Sequence, residues 1–397
     1  MSLGSSGNRK MERRRLWALI ATVFIGTTAV NVAKFVTAYR IVGLGMGGDI
    51  LGAVSAAFAL LPLLVIFRIG RLTDRGLSTP IAGVSLGVIA AGLLAMGQSE
   101  TIPALLVSNA IIGLGHVGVI NGTEASIARL GLDRDFSFGI MTASHSLSQM
   151  AGPLVGGLLL SLHAGSGLVG ASTLALSVCA VAALIAVAPL LAVRIRRQDE
   201  PRRVASPKAR LWEVVGNART ASTLYLSMIT VTYIDVITVY LPLLGRLHGW
   251  SPSVVGSLLA ARAFASFLAR IGTRISVARV GRVRLMMLSV GIPGALTLGL
   301  ASMNSLLFAF FAMIVSGLFL GFGQPLSISS LVKMTPARMI GYTLSVRLAG
   351  NRLALILIPV LAGLAAGAFG ATAAFWMLAT LLLASAVFVQ LFPPAQG

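Results

Sequence analysis

Of the 11 acidic residues in this 397-residue chain, only Asp235 lies well inside a long apolar run, and Glu124 lies near the end of another. Three bases are as deep: Lys34, Arg262 and Arg352. In hydrocarbon, an ionisable side chain costs at least about 2.5–3.5 kcal/mol on insertion scales, so each needs a partner or a task. At about 1.5 Å of rise per helical residue, Arg262 and Arg352 fall near the middle of their runs, and Lys34 and Asp235 somewhat nearer the outer end. Two guanidinium groups, with the neutral amide of Asn351 beside one of them, offer the donors that suit a carboxylate or phosphate. The competing reading for each arginine is snorkelling or a bond to a helix-end carbonyl. Arg270 and Arg347, nearer run ends, are read as snorkellers. A proton-coupled carrier needs a carboxyl that changes protonation state within the membrane, and Asp235 and Glu124 are the acids in such places. His116 and His145 are read first as packing residues. With so few His and the single Cys179, no metal cluster and no cofactor site is expected, and nothing reads as catalysis.

Crossing roughly 30 Å of hydrocarbon takes about 20 apolar residues. Runs of that size fall near 16–42, 50–68, 78–98, 102–124, 138–162 and 167–193, then near 221–244, 252–271, 285–303, 305–330, 340–367 and 371–392. The chain is therefore expected to be an all-α membrane protein with about twelve transmembrane helices, and strands of a barrel are excluded by run length. The 31 Lys and Arg residues gather in alternate gaps, as at Arg68, Arg71 and Arg75, or Arg274, Arg279, Arg282 and Arg284; Arg40 and Arg246 are the exceptions. This is the positive-inside pattern of a cytoplasmic membrane protein. With Arg9, Lys10, Arg13, Arg14 and Arg15 ahead of the first run, both termini are expected in the cytoplasm. A nucleic-acid binder could share the pI of 11.7, but 56% hydrophobic residues leave no soluble basic face. The expected organisation is a tail (1–15), six spans (16–193), a polar linker (194–219), six more spans (220–392) and a short tail (393–397). Around Leu211, Trp212, Val214 and Val215 the linker reads either as an interfacial helix or as solvated chain.

The halves echo each other. Arg68-Ile69-Gly70 matches Arg270-Ile271-Gly272, and Gly113-x-Gly115 matches Gly321-x-Gly323. Pro153-x-x-Gly156-Gly157 matches Pro359-x-x-Ala362-Gly363, and Lys34 matches Asp235, all at offsets of 201 to 208 residues. Four ordered matches predict two pseudo-symmetric six-helix bundles with a central cavity. Lys34 and Asp235 are then expected to face each other, as a gate that opens or as a fixed pair.

On these residues the whole chain resembles the major facilitator superfamily. Gly70-Arg71-Leu72-Thr73-Asp74-Arg75-Gly76 is similar to the family's cytoplasmic signature after the second helix. The resemblance implies that Asp74 and Arg75 latch the cytoplasmic side, or else serve only as a basic topology loop. Ser148-x-x-x-Gly152-Pro153-x-x-Gly156-Gly157 resembles the signature of the family's proton-coupled, drug-efflux-type antiporters, with Ser148 in place of a glycine. Those antiporters carry an arginine where this chain has Asn109. The implied function is a proton-coupled exporter of a small organic molecule bearing an anionic group, working as a monomer by alternating access. The alternative is an organic-anion uniporter, exchanger or importer without protons. Gly43-x-Gly45-x-x-Gly48 fits a dinucleotide fingerprint only as text, since it lies between two membrane spans.

Overall fold

The computed structural model describes residues 3–130, 132–191, 193, 216–336 and 339–394. Among these there is no strand, and twelve long helices follow one another. They are α1 (Leu3–Gly43), α2 (Gly48–Leu72), α3 (Ser78–Gln98), α4 (Ile102–Ala128), α5 (Arg134–Leu162) and α6 (Gly167–Ile185), then α7 (Ala218–Leu247), α8 (Pro252–Val280), α9 (Arg282–Ser302), α10 (Leu306–Met334), α11 (Ile340–Phe369) and α12 (Ala371–Leu391). The linker from 194 to 215 and the end from 395 lie outside the described residues.

Helices are what such a sequence must form, because hydrocarbon offers no partner to an unpaired backbone N–H or C=O. Their starts are marked by polar side chains that take up free amides. Asp133 accepts from the Phe136 amide at 2.7 Å, Ser251 from Val254 at 3.4 Å and Ser305 from Phe308 at 3.3 Å. Among the described residues, eleven helices are long and apolar enough to cross a membrane. α5 has the length, 29 residues, but His145, Ser146, Ser148 and Gln149 dilute its hydropathy. It sits alongside α1 in the same bundle. Leu64, Val84, Leu158, Val181, Leu307 and Leu361 are more than half exposed, which lipid tolerates and water does not.

The chain divides into two compact units, one of 1–44 with 57–202 and the other of 45–56 with 203–397. In the first, α3 packs along α4 and α6, and α1 along α5 and α6. The second repeats this order, α9 along α10 and α12 and α7 along α11 and α12, with α8 on α10. The first turns of α2 belong to the second unit, where the Tyr240 hydroxyl donates to the Gly48 carbonyl at 3.0 Å.

Arg40, an exception to the charge pattern, is a staple. It is 1% exposed, and its guanidinium donates to the Ser99 carbonyl at 2.9 Å, to Ser172 at 3.2 Å and to Thr173 at 2.8 Å. It ties the end of α1 to α6 and to the end of α3, so its position reflects packing and carries no topological signal.

Candidate functional site

The close approach of helix pairs sets the depth of the key residues. In the first unit Gly113 of α4 lies against the backbone carbonyl of Phe58 in α2; in the second, Gly317 of α10 lies against that of Arg262 in α8. A Cβ at either glycine would collide with the carbonyl. Phe58 and Arg262 are thus structural counterparts, 204 residues apart like the two glycines. The sequence match of Gly113 with Gly321 is one helical turn out of register: Gly321 packs on Ser266 and Ala269 instead. Small residues four apart share a helix face, so sequence alone slips by a turn without penalty.

In the second unit, Arg262 is 2% exposed. It makes no hydrogen bond with any described residue, and its Nε is buried without a partner. Around it stand Tyr233, which shares a hydrogen bond of 3.1 Å with Thr297, and Asp235, within electrostatic reach. Arg352 on α11 is half-buried, and the same Asp235 acts on it. Asp235 thus lies within electrostatic reach of both arginines.

Asn351 faces a different set of residues. Its Oδ1 accepts from the Ser227 hydroxyl at 3.2 Å. Arg347 donates to that hydroxyl at 3.1 Å and to Gln324 Oε1 at 3.0 Å, and Gln324 donates to the Ser227 carbonyl at 3.0 Å. Arg347 is only 8% exposed. The snorkelling expected of it is wrong: it joins α7, α10 and α11 inside the unit. Nothing in a single sequence distinguishes a buried arginine one turn from another, and no sequence signal marks Ser227, Gln324 and Arg347 as a group.

In the first unit, the Lys34 ammonium lies over the Phe58 ring, 4.4 Å from its centroid. That ring is 5.6 Å from His116, which stacks on His145 at 6.4 Å. Cation, aromatic ring and two imidazoles thus form one file through α1, α2, α4 and α5. Glu124 has an exposed side chain near the end of α4, and Asn109 is buried.

The signature residues have clear mechanical roles. Thr73–Leu77 forms a wide turn broken at Gly76, whose φ of 84° favours glycine. Arg129, at the end of α4, donates to the Thr73 carbonyl at 2.5 Å and to Ser78 at 3.2 Å, pinning this turn. Arg75 is exposed, and Gly70 lies within α2; the Asp74 side chain falls outside the described residues. In α5, Gly152 and Gly156 press against Asn31 and Phe35 of α1 on either side of Pro153, and Gly157 continues the same helix. Ser148, which replaces a glycine, accepts from Thr27 at 2.8 Å and from Asn31 at 3.4 Å.

A family model, the Major Facilitator Superfamily, matches residues 16–306 and 227–396. The chain belongs to the Major Facilitator Superfamily. It is a transporter and not an enzyme. The Tetracycline resistance protein, class C, of Escherichia coli is 31% identical over 116 residues, covering 28% of this chain and 29% of that protein. Multidrug resistance protein 1 of Bacillus subtilis (strain 168) is 26% identical over 157 residues, covering 38% and 40%. The chain thus spans less than half the length of either relative. Among solved structures, the nucleoside transporter NupG aligns over 96% of this chain and 99% of its own at 16% identity, with a TM-score of 0.79. A D-xylose-proton symporter aligns over 96% and 97% at 15%, with a TM-score of 0.74. These likenesses establish the fold alone.

Proposed function

We propose that this transporter moves a small organic molecule bearing a carboxylate, phosphate or similar anionic group by alternating access, as a proton-coupled exporter in the cytoplasmic membrane. The observation that carries the reading is Arg262: a guanidinium 2% exposed with no hydrogen bond to any described residue. A buried charge of this kind is tolerable only when a partner of opposite sign reaches it. Arg352 adds a second guanidinium, and Asp235 is the one acid acting on both. The set keeps a net positive charge, which suits an anion. The matches to two resistance proteins support export.

Asp235 would couple the proton. Ionised, it competes with the ligand for the arginines; protonated, it leaves both to the ligand. That sign supports a second reading, in which proton and anion load together and move in the same direction, because linkage makes each favour the other. Counterflow of candidate organic anions in proteoliposomes, with and without a pH gradient, separates the readings. Accumulation against an opposing proton flow supports export, and accumulation along it supports co-transport. Arg262→Gln is expected to weaken binding of the anion at least ten-fold, and Arg262→Lys to restore it only in part, since an ammonium lacks the two-pronged contact. If both variants transport normally, or the best ligands are cations, the anion reading fails.

A further inference from the structure

Cations of the second unit gather at the end of α8, the start of α9 and the end of α10. After Asp235 the chain contains no Asp or Glu through to residue 397, so positive charge predominates along this stretch. Three of these cations, Arg282, Arg284 and Lys333, line one open cleft whose other walls include Val277, Val280 and Val283. Two of them occupy the first turn of α9, where the helix dipole makes positive charge unfavourable. No acid stands in that turn and no side chain caps it. The first unit differs at the corresponding level: the uncharged Ser78 stands in the place of Arg282, 204 residues earlier.

The cleft is ordered rather than a loose collection of side chains. Arg282 is tied through Nη1 alone, to Ser329 at 2.5 Å and Ser330 at 3.4 Å. Among the described residues its Nε and Nη2 have no partner, which leaves an edge of the guanidinium for a ligand. Arg284 is exposed and has no hydrogen bond with any described residue. Next to the cations the surface turns apolar at once: Ile275 is 60% exposed, and Val280 and Val332 are more than a third exposed.

We propose that this cleft binds the phosphate headgroup of an anionic phospholipid, with the glycerol and first acyl carbons against the valines. A soluble anion would use the cations and leave the valines bare; a lipid uses both. Basic pockets between membrane helices at the headgroup level are suited to this. The site is separate from Arg262 and Arg352, and it stands or falls without the transport reading above.

The test measures retention of short-chain phosphatidylglycerol by the purified full chain in neutral detergent, with phosphatidylcholine as reference. Phosphatidylglycerol is expected to bind in preference to phosphatidylcholine. Arg284→Gln should weaken it about five-fold, and Arg284→Gln with Lys333→Gln about thirty-fold. Arg246→Gln removes the same charge from the end of α7 and is expected to change nothing. Both cleft side chains are exposed, so the variants should keep the wild-type unfolding midpoint. Wild-type retention by the double variant would overturn the proposal. So would full displacement of the lipid by millimolar inorganic phosphate, which would make the cleft a soluble-anion site.

Discussion

Two buried arginines of the second unit look alike in the sequence and differ in their surroundings. Arg347 has its terminal nitrogen bonded to Ser227 and Gln324, whereas Arg262 has no such bond. The first is therefore structural and the second available. Arg347→Met is expected to lower stability by about 1–2 kcal/mol, read as a reduced thermal midpoint in detergent. An unchanged midpoint would return Arg347 to the snorkelling class. Asp235→Asn is expected to abolish the dependence of transport on a pH gradient while sparing binding of the anion, since the amide no longer competes for Arg262 and Arg352. Retained coupling in this variant would move the proton to Glu124.

Helix spacing is set by single missing methyl groups. Gly317 lets α10 touch the backbone of Arg262, and that contact fixes the height of the guanidinium on α8. Gly317→Ala is expected to cost about 1–3 kcal/mol of stability and to weaken anion binding together with it. Gly113→Ala, its counterpart against Phe58, should cost a similar amount without touching the arginine site. Gly87→Ala in α3 is the control, because a Cβ there meets nothing within 4 Å; its stability should stay within about 0.5 kcal/mol of wild type. Equal effects at Gly317 and Gly87 would mean that the close approach is not what holds Arg262. The glycines of α5 act in the same way against α1, so the antiporter-like signature is explained by packing before any role in coupling is invoked.

At the scale of the whole molecule, the charge pattern predicts that both termini and the linker face the cytoplasm. Native Cys179 is buried, so Arg202→Cys can be labelled selectively. A membrane-impermeant maleimide should react with it only after cells are opened, and efficient labelling of intact cells would invert the topology. Asp74→Asn is expected to slow turnover several-fold with expression unchanged, if the loop after α2 latches one state of the cycle. Unchanged transport by the purified variant would leave the loop as a topology signal, with Arg129 pinning its turn.

The sequence by itself determined the class of molecule. Run length and hydropathy are properties of segments of about 20 residues, and they specified the helices without any knowledge of contacts. It also singled out Arg262, Arg352 and Asp235, because a charge inside an apolar run is anomalous wherever the helix finally packs. What it could not determine was which helix face meets which neighbour. That depends on close approaches at single glycines, and it decided that Asp235 comes within electrostatic reach of both arginines and that Arg347 is bonded inward. It also decided that Phe58, a residue with no sequence signal of its own, is the counterpart of Arg262. The physical reason is range: hydrophobicity is summed along the chain, but a guanidinium's partner is set by angstrom distances between residues 20 to 120 positions apart.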